Sequence, residues 1–272
     1  MIKKVAAIHD LSGIGRCSLT VAIPILSALK IQCCPFPTAI LSAQTGYPNY
    51  SFFDLTNLMN DYKDNWNELN IEFDCIYSGF LGSIEQIDIV SDFIKKNKST
   101  LVVIDPVMGD DGSLYPVFNN EMCTKIKNLV KNANIVTPNL TEALILTDKD
   151  YTNTNLKKEE LLSLARDVST LGPSKVIITG IIIDDKIHNL AFDKDLDEFY
   201  FTSAEFNNIS YSGTGDIFTS ILTGLLLNGE SLKYSIIKAS SFIHKTVLYT
   251  SQFKTDRNDG VMFEMFLSDL IK

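Results

Sequence analysis

The chain has 272 residues, with 45% hydrophobic and 21% charged side chains, which is globular composition and excludes a disordered polymer. Lys plus Arg number 24 and Asp plus Glu 33, so the formal net charge is −9. That balance argues against an electrostatic grip on nucleic acid or an anionic membrane, but not against a small anion held by backbone amides at one point.

The N-terminal apolar run, residues 5–8, is too short for a signal peptide. The longest apolar stretch, 176–183, is broken by Thr179 and Gly180 and cannot span a membrane. The five cysteines (Cys17, Cys33, Cys34, Cys75 and Cys123) are odd in number and contain no C-x-x-C pair. They read as free buried thiols in a reducing compartment, and the expected location is cytoplasmic. On a strand, Cys33 and Cys34 would point to opposite faces.

In chain order, residues 5–9 read as a buried strand, followed by a turn at Gly13 and Gly15 and a helix over 17–29. Residues 31–35 and 39–41 read as two short extended pieces, and 54–69 as a polar helix. A strand over 73–78 ends at Gly79, and Ser83 to Gln86 carries a capping-box pattern that opens a helix. A strand over 101–104 ends at Asp105-Pro106, and an amphipathic helix follows around Met122, Ile126, Leu129 and Val130. Ile135 and Val136 lead into Thr137-Pro138-Asn139 and another helix; Leu161, Leu164, Ala165 and Val168 mark one more; 176–178 is a strand. Residues 181–202 break this rhythm with two Asp-rich turns, which predicts an antiparallel edge. From Gly215 onward the pattern is mostly helical. Alternating strands and helices predict a mostly parallel sheet with helices on both faces, in one domain over 1–272 without a linker or repeat.

In such a sheet ligands bind beyond the carboxyl ends of the strands. Asp10 and Ser12, Ser78 and Gly79, Asp105, Asn139 and Glu142, and Thr179 all fall at predicted strand ends. The sharpest local pattern is Gly213-Thr214-Gly215-Asp216 before the apolar helix of Ile217, Phe218, Ile221 and Leu222. Two glycines there let backbone N–H groups converge at a helix N-terminus, an anion pocket. Asp216 either complements the helix dipole or serves as a base beside that pocket. Glu142 either closes a helix cap with Asn139 or orients water on Mg²⁺. Asp105 either accepts N–H groups in a turn or belongs to the site. Asp110-Asp111-Gly112 reads as a solvated turn. His9, His188 and His244 form no cluster in sequence, and no P-loop motif occurs.

As a set these segments resemble the ribokinase-like superfamily and, within it, the pyridoxal/pyridoxamine kinases. The resemblance rests on the runs 10–18, 41–47, 78–83, 105–110, 137–143 and 213–216, in family order. It implies a three-layer α/β/α sandwich with a small flap over residues 107–116, and ATP-dependent phosphorylation of the 5′-hydroxyl of a vitamin B6 alcohol. By the same resemblance Asp216 matches the general base, and Gly213, Thr214 and Gly215 the anion hole. Asp10, Ser12, Thr45 and Phe80 match the substrate side. Asp105, Asn139, Glu142 and Thr179 match the ATP side, with Asp105 and Glu142 near Mg²⁺, and a monovalent cation is allowed. The resemblance also implies a homodimer. The chain departs from relatives in having Ala43-Gln44 where some carry Asn-His, Phe80 where some carry Tyr, and Asp10 where several carry Ser. The rival expectations are hydroxymethylpyrimidine (phosphate) kinase, which typically has Cys at the position of Asp216, and a non-catalytic pyridoxal phosphate or nucleotide sensor.

Overall fold

A computed structural model describes residues 2–97 and 100–271. Nine strands form one sheet in the order β11-β10-β9-β8-β5-β4-β1-β2-β3. Its centre is parallel: β1 (Lys4–Ser12), β2 (Gln32–Leu41), β4 (Cys75–Ser78), β5 (Leu101–Ile104), β8 (Ile135–Val136) and β9 (Lys175–Ile183). The edges β3 (Phe52–Asp54), β10 (Lys186–Asp193) and β11 (Glu198–Glu205) are antiparallel; the broken rhythm after residue 180 predicts β10 and β11, whereas β3 has no counterpart in the sequence reading. Asp184 and Asp185 both take left-handed backbone, φ 50° and 57°, in the two-residue turn between β9 and β10. That geometry matches the twist of a hairpin.

Alternation along each central strand divides the core in two. Val5, Cys75, Tyr77, Val103, Ile135 and Ile177 face α1 (Ser18–Ala28), α7 (Thr214–Leu227) and α8 (Leu232–Thr250). Ala6, Ile8, Ile76, Val102, Ile104, Val136 and Val176 face the other layer. That layer contains α2 (Thr56–Glu68), α3 (Ile84–Lys96), α4 (Asn120–Val130), α5 (Leu140–Leu146) and α6 (Lys158–Thr170). Burial on both faces is why these strands read as continuous apolar runs. Cys33 packs toward the first layer and Cys34 toward the second, as expected of neighbours on a strand. All five thiols are free, but only Cys75 is fully buried; the other four are half-buried.

Three elements differ from the sequence reading. The pieces over 31–35 and 39–41 are one strand, β2, which runs through Pro35 and Pro37. Gln32 donates its N–H to Lys3 on the β1 side, so the odd-numbered nitrogens of β2 face outward, where a proline lacking N–H loses no ladder bond. β1 extends past His9 through a register shift, so Asp10 and Ser12 lie on its last residues rather than beyond it. β9 likewise continues through Thr179 and Gly180, with Gly180 at φ 70° where the β10 pairing slips a residue. The pattern at Ser83 is half met: its hydroxyl caps the Gln86 N–H, but Gln86 Oε1 accepts from Gly82.

Residues 107–116 form a small antiparallel flap of β6 (Gly109–Asp110) and β7 (Ser113–Leu114), with exposed Asp111 at its tip at φ 47°. Among the described residues no helix is long and apolar enough to cross a membrane.

Candidate active site

Helix α7 begins at the sheet's carboxyl rim. Gly213 is its N-cap, at φ 76°, and a Cβ there would sit 1.8 Å from the Arg16 carbonyl oxygen. Only glycine permits both the left-handed turn and that approach. The turn leaves the first N–H groups of α7 without intrahelical partners, facing a cavity of about 430 Å³. Asp216 lies in this first turn. Its Oδ2 accepts the Ser18 N–H at 2.9 Å, and its side chain is 17% exposed. Burial pushes its carboxyl up to about 7; the Ser18 N–H opposes this, and the nearby Asp10 charge adds to it.

Asp105, at the end of β5, faces the same turn: its Oδ2 is 3.9 Å from where a Gly215 Cβ would stand. Burial and the Asp216 charge hold its carboxyl well above the ordinary range, against the Thr137 hydroxyl. Glu142 closes a full capping box on α5. Its Oε2 accepts the Asn139 N–H at 2.8 Å, and Asn139 Oδ1 accepts the Glu142 N–H at 2.9 Å. Glu142 Oε1 also accepts the Met108 N–H, which ties the flap to α5. Burial and then Asp105 raise the Glu142 carboxyl well above its usual range. The two readings of Glu142 thus coexist: it caps a helix and it lines the cavity.

The structure brings eight sequence-identified residues to this one cavity: Asp105, Asn139, Glu142, Thr179, Gly213, Thr214, Gly215 and Asp216. The other four lie off its wall. Asp10 is buried and accepts from Ser12 Oγ at 2.8 Å and Ser18 Oγ at 2.5 Å. Phe80 packs edge-on against Phe118, with ring centres 6.1 Å apart. Thr45 is exposed on the loop after β2. That loop is pinned: Gln44 Oε1 accepts the Gly46 N–H at 2.7 Å, and Gln44 Nε2 donates to Ser212 Oγ and the Asn258 carbonyl.

Several residues of the site carried no clear sequence signal. The far end of the cavity includes Asn189, Thr202 and Ser240, joined by hydrogen bonds of 2.8–3.2 Å, and His244. His9 lies fully buried behind Asp216, its Nδ1 3.9 Å from Oδ1, and burial lowers its pKa to about 3, so it is neutral. Ser18 stood inside a motif but had no evident role. Among the described residues no cluster of three His, Cys, Asp or Glu side chains forms a metal cage.

A parallel-centred sheet with an antiparallel edge, a flap and a glycine-led helix with an aspartate in its first turn beside the cavity match an α/β kinase of ribokinase-like fold. The chain belongs to the phosphomethylpyrimidine kinase family, whose pattern matches residues 25–261. It is 27% identical over 284 residues to the pyridoxal kinase of Dictyostelium discoideum, covering 93% of this chain and 88% of that one. A candidate phosphomethylpyrimidine kinase of Bacteroides thetaiotaomicron, solved with pyridoxal, is 42% identical at TM-score 0.96, covering 99% of this chain and 96% of that one. The pyridoxal kinase of Lactobacillus plantarum is 26% identical at TM-score 0.91, with 99% and 97% covered.

Proposed function

We propose that the chain is a single kinase domain over 1–272 that transfers the γ-phosphoryl of ATP to the 5′-hydroxyl of pyridoxal, pyridoxamine or pyridoxine. The observation that carries this reading is the placement of Asp216 in the first turn of α7, beside the Gly213–Gly215 amides. Burial raises its carboxyl to about 7, where it can still ionise near neutral pH and then accept a proton. Asp216 takes the proton from the substrate CH₂–OH. The oxygen attacks the γ-phosphorus in line, the bond to the bridging oxygen breaks, and ADP leaves with that electron pair. The N–H groups of the helix start stabilise the charge on the transferring group, and the flap excludes water, which would otherwise compete with the alcohol.

The residues present fit Mg²⁺. Asp105 and Glu142 offer hard oxygens on one cavity wall, and their mutual repulsion is what a divalent cation relieves. Both Glu142 oxygens already accept a backbone N–H, so Glu142 would hold the ion through water. When bound, Mg²⁺ neutralises phosphate charge. Asn139 and Thr179 stand on the same wall for the nucleotide phosphates, and a monovalent cation would act there as well. Asp10, Ser12, Thr45 and Phe80 form the substrate side in this reading. The pyridoxal-bound relative supports that substrate class. In this reading the enzyme is a cytoplasmic homodimer.

The family's other reaction, on hydroxymethylpyrimidine or its phosphate, is the second reading, favoured by the family pattern itself. A sensor without turnover would not need the base. A coupled ADP-release assay with each vitamer and with hydroxymethylpyrimidine separates the three. Turnover dependent on a vitamin B6 alcohol is expected. Turnover on the pyrimidine alone, or binding without turnover, would replace the reading.

A further inference from the structure

Ser18 opens α1 at φ 52°, left-handed backbone that a serine rarely adopts. Strain of this kind persists only where the surroundings over-determine it. Here they do. The Ser18 N–H donates to Asp216 Oδ2 at 2.9 Å, and its hydroxyl donates to Asp10 Oδ1 at 2.5 Å. The Arg16–Cys17 peptide ahead of it is packed under Gly213, whose added Cβ would stand 3.1 Å from Cys17 Cα. The φ angle fixes the direction of a residue's N–H relative to its Cβ. At an ordinary helical φ the N–H would leave Asp216 or the hydroxyl would leave Asp10.

We propose that Ser18 is a positioning residue for the base, its left-handed backbone aiming one N–H at Asp216 Oδ2 while its hydroxyl fixes Asp10. The bond sets the rotation of the Asp216 carboxylate. It also couples the base to the Asp10 carboxylate through one residue. An N–H donated to the charged form of Asp216 favours ionisation and holds its pKa below what burial alone would give. The titratable groups sharing these surroundings are His9 and Asp10 on β1, Cys17 before α1, Tyr77 on β4, Asp105 after β5 and Tyr115 after β7.

This inference rests on Asp216 being the base. The test compares Ser18→Val, whose branched Cβ resists positive φ, with Ser18→Gly, which adopts it freely and keeps the N–H. The readouts are kcat/KM for pyridoxal against pH, KM for ATP, and thermal unfolding. Ser18→Val is expected to move the acid limb up by about one pH unit and lower kcat roughly tenfold, with KM for ATP unchanged. Ser18→Gly is expected to restore the limb although it lacks the hydroxyl. Wild-type limbs in both variants, with only the unfolding temperature altered, would make the role purely structural and overturn the proposal. If Ser18→Val does not fold, Ser18→Ala, also strained at positive φ, carries the same comparison with Ser18→Gly. Asp216→Asn, assayed alongside, separates the two levels. Full activity there would sink the base itself, whereas its loss with silent Ser18 variants would sink only the present inference.

Discussion

Glu142 and Met108 meet where the flap leaves β5: the Met108 N–H donates to Glu142 Oε1 at 3.1 Å. The other carboxylate oxygen closes the cap of α5, so one side chain joins the flap base, a helix N-terminus and the wall of the cavity. Glu142→Ala removes a cap and strands a buried N–H, a loss of roughly 2–4 kcal/mol. At ~2–4 °C per kcal/mol, calorimetry should find the unfolding temperature lowered by about 4–16 °C. Glu142→Gln should lose less, because its amide oxygen keeps one of the two N–H groups. An unchanged unfolding temperature in Glu142→Ala would dismiss the tie.

The raised pKa of Asp216 links activity to pH. As the proposed base, Asp216 must be ionised, so kcat/KM should fall as pH drops through about 7. Asp216→Asn should cost on the order of 10²–10⁴ in kcat and leave ATP affinity nearly intact. Wild-type-like turnover would reject the assignment.

Stability should move the opposite way. The folded-state pKa of Asp216 lies above its unfolded value of 3.8, so the native state binds the extra proton between those values. Its contribution to stability is therefore lost as pH rises from about 4 to about 7. Asp216→Asn should match wild type at the acid end of that window and unfold at a higher temperature above pH 7. Parallel melting curves at pH 4.5 and pH 8 check this; an equal difference at both would contradict the linkage.

Gly213→Ala should lose both fold and function locally. The new methyl would need space taken by the Arg16 carbonyl, at a φ that alanine avoids. A fall in kcat of about 10² or more is expected with a loss of roughly 2–3 kcal/mol. A variant that keeps its turnover would show that the helix start tolerates another geometry.

Asn258 pins the loop that carries Thr45. Its Nδ2 donates to the Gly46 carbonyl at 3.1 Å, its own carbonyl accepts from Gln44, and Tyr47 bonds Asp259 beside it. Asn258→Ala and Thr45→Ala should each raise KM for the vitamer more than KM for ATP. Equal effects on both substrates would move this loop out of the substrate side.

The central sheet was legible in the sequence because strands buried on both faces are unbroken apolar runs, as at 101–104 and 176–178. β2 was split in two because prolines break the local pattern, and whether a proline is harmless depends on which side of the strand has a partner. The ends of β1 and β9 were placed too early because a bulge, set by the neighbouring strand, carries no reliable local pattern.

The same division holds at the site. Residue types and spacing alone determined a glycine-led helix start at Gly213–Gly215, an aspartate in its first turn, and an acidic chain with no charge surplus for a polyanion. Only the tertiary structure decided that Asp105 and Glu142 share one wall, that His9 stays neutral behind Asp216, and that Ser18 meets Asp216 across 198 positions. Periodicity reports which face of an element is buried. It cannot report which elements meet at the sheet rim, because that follows from strand order, and the field on each carboxyl follows from the elements that cover it.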